Sequence, residues 1–148
     1  MDKYAERLTG FMRAMGCMND AANHVSDYFV VKLEDSDSML TSLAIYHSTI
    51  TDKFPAAYWH PQLEACTQII FMETVALWFF EHQDAQLLPP SLKQNLLATF
   101  IDDLNEMTGN ALFFTLITSP PVWYGSLHDE FVIESPYGRY LVHFSCHD

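Results

Sequence analysis

The spacing of the apolar residues changes once along the chain, and this change constrains the fold more than any other feature. Over roughly the first 118 residues, apolar side chains recur every three or four positions, as they do between Tyr4 and Met15. That period is typical of amphipathic helices. From Phe131 to Cys146 two short apolar runs flank a turn at 135–138, which predicts a β-hairpin. The sequence therefore predicts an α+β fold that is mainly α.

Capping and helix-breaking residues divide the helical part into about five helices. Asp, Asn and Ser are favoured N-caps, Pro is tolerated in a first turn, and Gly commonly ends a helix. The short run 110–118 fits either a helix or a buried strand. The Thr and Ile content of the segment that begins at Ser38 also fits a strand. The five predicted helices run from Asp2 to Gly16, from Asn19 to Leu33, from Ser38 to Pro55, from Pro61 to His82 and from Ser91 to Gly109.

The length and composition predict one globular domain. A chain of 148 residues is the size of a single domain, and 49% apolar residues are enough for one core. This composition excludes a disordered or low-complexity chain. We expect a single domain over 1–148, helical over 1–118 and with the hairpin within 119–148.

Neither a membrane span nor a secretory signal is evident. The longest apolar run, from Ala65 to Phe80, is interrupted by Gln68 and Glu73 and is shorter than the ~20 residues of a membrane helix. The N-terminus lacks a basic segment followed by an apolar one. Three cysteines without CxxC spacing favour reduced thiols. We therefore expect a cytoplasmic protein that does not contact membranes.

The chain is strongly acidic, and unevenly so. Nineteen acids against seven Lys and Arg give a net charge of −12. Residues 61–148 hold eleven of the acids but only Lys93 and Arg139 as bases. Direct nucleic-acid binding needs clustered Lys and Arg, so we do not expect it. A field of one sign steers a partner of the opposite sign, which favours a basic protein partner, for example a nucleic-acid-binding protein.

The leading functional hypothesis is therefore a small acidic binding protein. It would dock on a basic protein and inhibit or neutralise it, as an inhibitor, an immunity protein or an anti-defence factor does. Carboxylates supply the charge, and an aromatic side chain supplies the anchor. The predicted partner-binding residues are Asp102, Asp103, Glu106, Asp129 and Glu130, with Trp123 or Tyr124 as anchor.

Two alternatives belong to other classes. The first is a small enzyme or ligand-binding protein with a pocket around Glu73, because a carboxylate within an apolar helix is a candidate acid or base. The pocket would include His47, His60 and His82. The second is an oligomeric structural or assembly subunit, for example a homodimer, that associates through apolar helix faces.

Motifs for specific chemistry are missing from the sequence. There is no P-loop, dinucleotide fingerprint, EF-hand loop or HExxH motif. His143 and Cys146 face opposite sides of a strand, so they do not predict a shared metal ion. The run 125–129 contains Ser, His and Asp in succession, but the members of a catalytic triad are seldom sequence neighbours. We predict no metal and no cofactor, and the pattern favours a binding protein over an enzyme.

Overall fold

The computed structural model describes residues 2–20, 25–50, 60–81, 88–119 and 127–147. These ranges contain four α-helices and five β-strands, and α3 continues directly into a π-helical turn over Leu77–Glu81. The helices are α1 (Lys3–Asn19), α2 (Met39–Ile50), α3 (Gln68–Ala76) and α4 (Pro90–Thr108). The strands are β1 (Val25–Lys32), β2 (His60–Cys66), β3 (Leu112–Ser119), β4 (Leu127–Ser135) and β5 (Gly138–His147).

The five strands form one antiparallel sheet in the order β1-β5-β4-β3-β2. The hairpin of β4 and β5 lies at its centre. It pairs Glu134 with Arg139 and Ile133 with Tyr140. The Arg139 guanidinium donates to Glu134 at 2.8 Å, so opposite charges fix the register beside the turn. The edges of the sheet are β1 and β2.

Helices cover both faces of the sheet. The larger core joins α1, α3, the π-helical turn and α4 to one face, and its fully buried residues include Phe71, Trp78 and Phe144. On the other face α2 packs on Val132 and Leu141. Successive strand residues point to opposite faces, so neighbouring residues of β4 and β5 belong to different cores. The sheet is thus the middle of three layers.

The expected fold of about five helices with a C-terminal hairpin is wrong. The predicted second helix is largely strand β1, where Tyr28 and Val30 are buried on one face by alternation. The predicted fourth helix is divided: Pro61 lies in edge strand β2, and Thr67 caps α3 by accepting from Ile70 N–H at 3.1 Å. The spacing of the apolar residues in these two segments fits a strand as well as a helix. Both segments are strands because β1 pairs with β5 and β2 pairs with β3.

The helix boundaries mix confirmed and wrong predictions. Asp2 is the N-cap of α1 and accepts hydrogen bonds from two backbone N–H groups, as predicted. Gly16 does not end this helix; its lack of a Cβ lets the helix approach Tyr28 closely. The cap of α4 is Pro89 rather than Ser91, whereas Gly109, with a φ of 61°, ends that helix as predicted. The run 110–118 lies mainly in β3.

The π-helical turn after α3 depends on two polar side chains. A wider turn leaves backbone carbonyls without their usual α-helical donors. The buried Asn19 amide donates to the carbonyls of Trp78 and Phe79, each at 3.1 Å. The Tyr28 hydroxyl donates to the Trp78 carbonyl at 3.0 Å. These bonds allow three consecutive aromatic residues, Trp78, Phe79 and Phe80, to be buried together.

No helix in the described ranges is long and apolar enough to cross a membrane.

Candidate functional site

A groove of about 890 Å³ runs along the outer edge of the sheet, between α1 and β1. One side of α1, strand β1 with the two residues that follow it, and Tyr46 of α2 line the groove. Its volume lies in the range that ligand sites occupy. It therefore combines a helix surface, an edge strand and an aromatic side chain.

Side chains satisfy several of the outward-facing backbone groups along the free edge of β1. Leu33 N–H donates to Arg139 O, and hydrogen-bonded pairs of an antiparallel ladder recur every second residue. The even-numbered residues of β1 therefore direct their backbone groups away from the sheet. Thr9 Oγ1 accepts from Val30 N–H at 3.0 Å and donates to Val30 O at 2.8 Å. Asp20 accepts from Ser26 N–H at 2.8 Å.

The floor of the groove is apolar and aromatic. Phe29 and Val31 share one face of β1, and Tyr46 of α2 lies over that face. The ring of Phe29 stacks on His143 with 4.7 Å between the centroids. Burial raises the pKa of the Tyr46 phenol, and the nearby charges of Glu130 and then Asp27 raise it further. Tyr46 is thus a neutral aromatic side chain close to carboxylates.

The rim of the groove carries more negative than positive charge. Four acids and two bases line it, which gives a formal charge of −2. Lys32 is already 3.8 Å from Asp2, so these two charges offset each other. The remaining lining charges belong to Glu6, Asp27 and Glu34, opposed by Arg13.

A buried polar cluster lies behind Phe29. His143 Nδ1 is 3.0 Å from Glu130 Oε2, and His143 Nε2 is 2.8 Å from Ser145 Oγ. These three residues are at most 5% exposed. Burial lowers the pKa of the neighbouring His128, although the charge of Glu130 acts in the opposite direction. The cluster places polar groups at the centre of the sheet, directly under the groove floor.

The cluster has the connectivity of a serine–histidine–carboxylate triad, but its accessibility differs from that of a hydrolase. The Ser145 hydroxyl is completely buried. Ser145 also pairs with Asp27 of β1 and His128 of β4 in the sheet, so its backbone groups serve the ladder rather than an oxyanion. A substrate carbonyl therefore does not reach this serine. The arrangement supports a structural role.

The predicted partner-binding acids do not form one surface. On α4, Asp102 and Glu106 are exposed and Asp103 is half-buried. Arg7 of α1 lies 3.5 Å from the Asp103 carboxylate and 2.9 Å from that of Glu106. Two of the three predicted α4 carboxylates therefore already have an intramolecular partner.

The two predicted partner-binding acids of β4 point into the protein. The buried Trp78 indole donates to Asp129 at 2.8 Å. The next residue, Glu130, lies on the other face of the sheet against His143. Strand alternation places these two acids on opposite faces of the sheet, so they do not share one surface. The proposed anchors Trp123 and Tyr124 lie outside the described residues.

Among the described residues, the structure does not bring the predicted pocket residues around Glu73 together. Glu73 is exposed on α3, and His60 is exposed at the start of β2. His47 is 3% exposed on α2, across the sheet from α3. The sheet separates these side chains, and the sequence did not show that α2 and α3 lie on opposite faces. His82 lies outside the described residues.

Metal ligation is not supported within the described part of the chain, where no group of three His, Cys, Asp or Glu side chains could hold an ion. Cys146 belongs to the larger core and His143 to the opposite face. Of the run 125–129, the described His128 and Asp129 are neighbours on β4. Their side chains therefore diverge.

Sequence reasoning missed the groove. Its α1 side follows helical spacing through Asp2, Glu6, Thr9 and Arg13, which is a polar stripe visible in the sequence. Its β1 side requires knowing that 25–32 is a strand at the edge of a sheet, and this segment was predicted as a helix. Finding the groove therefore requires the order of the strands in the sheet.

No protein-family model matches this sequence, and no curated protein is similar to it. A solved structure does resemble the fold: the crystal structure of citrus MAF1, with a TM-score of 0.60 and 12% sequence identity. The match covers 97% of this chain and 98% of that one. At this identity the similarity shows the fold alone, which is therefore MAF1-like.

Proposed function

We propose that this protein is a small acidic binding protein that docks on a basic protein partner and thereby inhibits or neutralises it. The observation that carries the proposal is the groove between α1 and β1, in which an apolar floor is bordered by carboxylates. Apolar anchors supply the affinity of such contacts, and complementary charge supplies orientation and the rate of association.

The distribution of ion pairs supports a cationic occupant. Arg7, Lys32 and Arg139 have acidic neighbours of their own. By contrast, Glu6 and Glu34 at the rim form no ion pair with any residue in the described ranges. A basic partner would offset the excess of carboxylates on this surface.

The shape favours an extended segment of the partner. The groove follows β1, whose eight residues span about 26 Å at roughly 3.3 Å per residue. Thr9 and Asp20 already satisfy backbone groups at the free edge of this strand. The partner therefore binds through its side chains rather than as a sixth strand of the sheet.

The test compares two double charge reversals that alter net charge equally. Glu6→Lys with Glu34→Lys changes the groove, whereas Glu73→Lys with Glu81→Lys changes exposed acids outside it. The probe is a fluorescein-labelled octapeptide in which arginine alternates with valine, with a glutamate-for-arginine peptide as the negative probe. Anisotropy titrations are run at low and at physiological ionic strength.

The proposal predicts that the basic peptide binds the wild type and the Glu73/Glu81 variant, that the Glu6/Glu34 variant loses this binding, and that salt weakens it. The acidic peptide should not bind. Equal losses in both variants would show a general charge effect and contradict the groove. Absence of binding to the wild type at low ionic strength would contradict the proposed function itself.

A further inference from the structure

One end of the groove, which we call the aromatic end, combines two aromatic rings with a carboxylate. Asp27 and Phe29 are two residues apart on β1, so their side chains lie on the same face of the strand. Tyr46 reaches this face from α2, and all three line the groove. One end of the groove thus holds two half-buried rings beside an exposed carboxylate.

The contacts of this end hold the rings in place. His143 stacks on Phe29, and its own ring nitrogens are within 3.0 Å of Glu130 and Ser145. Tyr46 packs against the smaller core on the same face of the sheet. A pre-organised aromatic surface loses little entropy when a ligand binds.

The electrostatics of this end favour a cation. The faces of aromatic rings attract positive charge, and the attraction increases where water is partly excluded. Asp27 forms no ion pair within the described ranges, and its charge is close enough to Tyr46 to raise the pKa of the phenol. A planar cation stacked on the rings would therefore also find a carboxylate acceptor.

We infer that this end of the groove is an arginine subsite, in which Phe29 and Tyr46 stack on a guanidinium of the partner and Asp27 accepts its hydrogen bonds. The inference rests on the proposed function and adds the identity of the anchoring side chain. Arginine suits the subsite better than lysine because its guanidinium is planar, weakly hydrated and able to bond a carboxylate through two N–H groups. The ammonium of lysine is compact and strongly hydrated.

The experiment compares the arginine–valine octapeptide with the same peptide carrying lysine at every arginine position. Both peptides have the same charge, so a difference in affinity reports on side-chain chemistry. We expect the arginine peptide to bind about three- to tenfold more tightly. Tyr46→Leu and Asp27→Asn should each reduce this preference, and Tyr46→Phe should retain most of it.

Matched controls are available on exposed surfaces outside the groove. Tyr137→Leu removes an exposed ring, and Asp37→Asn removes one exposed carboxylate. Neither should change the preference for arginine. Asp27 is exposed, so its variant should fold even if the Tyr46→Leu variant does not.

The outcomes separate the two proposals. Equal binding of the two peptides, or an arginine preference that survives both Tyr46→Leu and Asp27→Asn, overturns the arginine subsite and leaves the acidic groove intact. Failure of both peptides to bind the wild type overturns the proposed function and the subsite with it. A preference lost in the groove variants and kept in the controls supports both.

Discussion

The hydroxyl group of Thr9 bonds to both backbone groups of Val30: it accepts from the N–H at 3.0 Å and donates to the carbonyl at 2.8 Å. One side chain of α1 therefore satisfies the outward-facing donor and acceptor at one position of edge strand β1. Edge strands with free backbone groups pair readily with other chains, and proteins commonly cover them. In this fold α1, which covers the edge strand, also forms one side of the groove.

Replacing Thr9 with Val should destabilise the protein by about 1–3 kcal/mol, because both backbone groups of Val30 lose their partner while the side-chain volume is kept. Urea denaturation measures the free energy of unfolding. Thr9→Ser, which keeps the hydroxyl, should retain most of the stability. A Thr9→Val variant as stable as the wild type would show that the hydroxyl does not support the strand.

The π-helical turn gives a second prediction. Asn19→Ala removes the amide that donates to the Trp78 and Phe79 carbonyls, and should cost about 1–3 kcal/mol because buried acceptors lose a donor. Tyr28→Phe removes only one hydroxyl donor and should cost about 1 kcal/mol. Thermal unfolding followed by near-ultraviolet circular dichroism reports on the aromatic cluster directly. A neutral Asn19→Ala variant would contradict this role.

The buried contact of Glu130 with His143 gives a third prediction. Removing one partner of a buried hydrogen-bonded contact costs about 1–3 kcal/mol because the other partner loses a hydrogen bond. Glu130→Ala and His143→Ala should each lose stability of this order. The double variant should lose clearly less than the sum of the two. Additive losses would show that the two side chains do not depend on each other.

Arg13 is a cation within the acidic groove, so its removal should favour basic ligands. Arg13→Ala is expected to tighten binding of the arginine–valine octapeptide by a few-fold, since it removes like-charge repulsion. Lys3→Ala makes the same change of charge on α1 at a residue that does not line the groove. This control should have a smaller effect in the same titration. Weaker binding by Arg13→Ala would contradict the proposed charge complementarity.

Asp2 links stability to pH at the start of α1. Burial alone would raise the pKa of its carboxyl, but hydrogen bonds from the Ala5 and Tyr4 N–H groups and the Tyr140 hydroxyl, with the charge of Lys32, lower it below the ordinary 3.8. The Tyr140 hydroxyl remains a donor because burial and then Asp2 raise its pKa to about 12. A lowered pKa means that the ionised Asp2 stabilises the folded state above pH 3.8. This contribution is lost as the pH falls through the lowered pKa.

Asp2→Asn tests this linkage, because Asn caps helices about as well as Asp but carries no charge. At neutral pH the variant should be less stable by roughly 0.3–1 kcal/mol. The difference should shrink as the pH falls below 3.8. Denaturation curves across the acid range give this comparison. A difference that does not vary with pH would exclude the charge of Asp2 as its cause.

Local signals predicted the features that depend on a few neighbouring residues. Asp2 caps α1, Gly109 ends α4 with a positive φ, and the hairpin pairs Glu134 with Arg139. Each of these follows from backbone conformation or from residues within a few positions. The segments around Phe29 and Pro61 were predicted as helices because their apolar spacing fits both periods, and only pairing with distant strands excludes the helix.

The candidate site depended still more on distant contacts. Its α1 residues and its β1 residues lie about twenty positions apart in sequence, and Tyr46 comes from the opposite layer. The predicted acids Asp129 and Glu130 look alike in the sequence, yet one bonds to Trp78 and the other to His143. Which face of a central strand a residue occupies is fixed by register, and register is a property of the sheet.

The sequence by itself determined the negative charge, the amount of apolar material for one core, the caps and breaks of several helices, and the hairpin. These are sums over residues or effects of near neighbours. Only the tertiary structure decided that the hairpin is the centre of a five-stranded sheet, that helices cover both of its faces, and that β1 forms an edge beside α1. Those features arise from pairing between segments far apart in the chain, where the shared burial of apolar surface outweighs local preference.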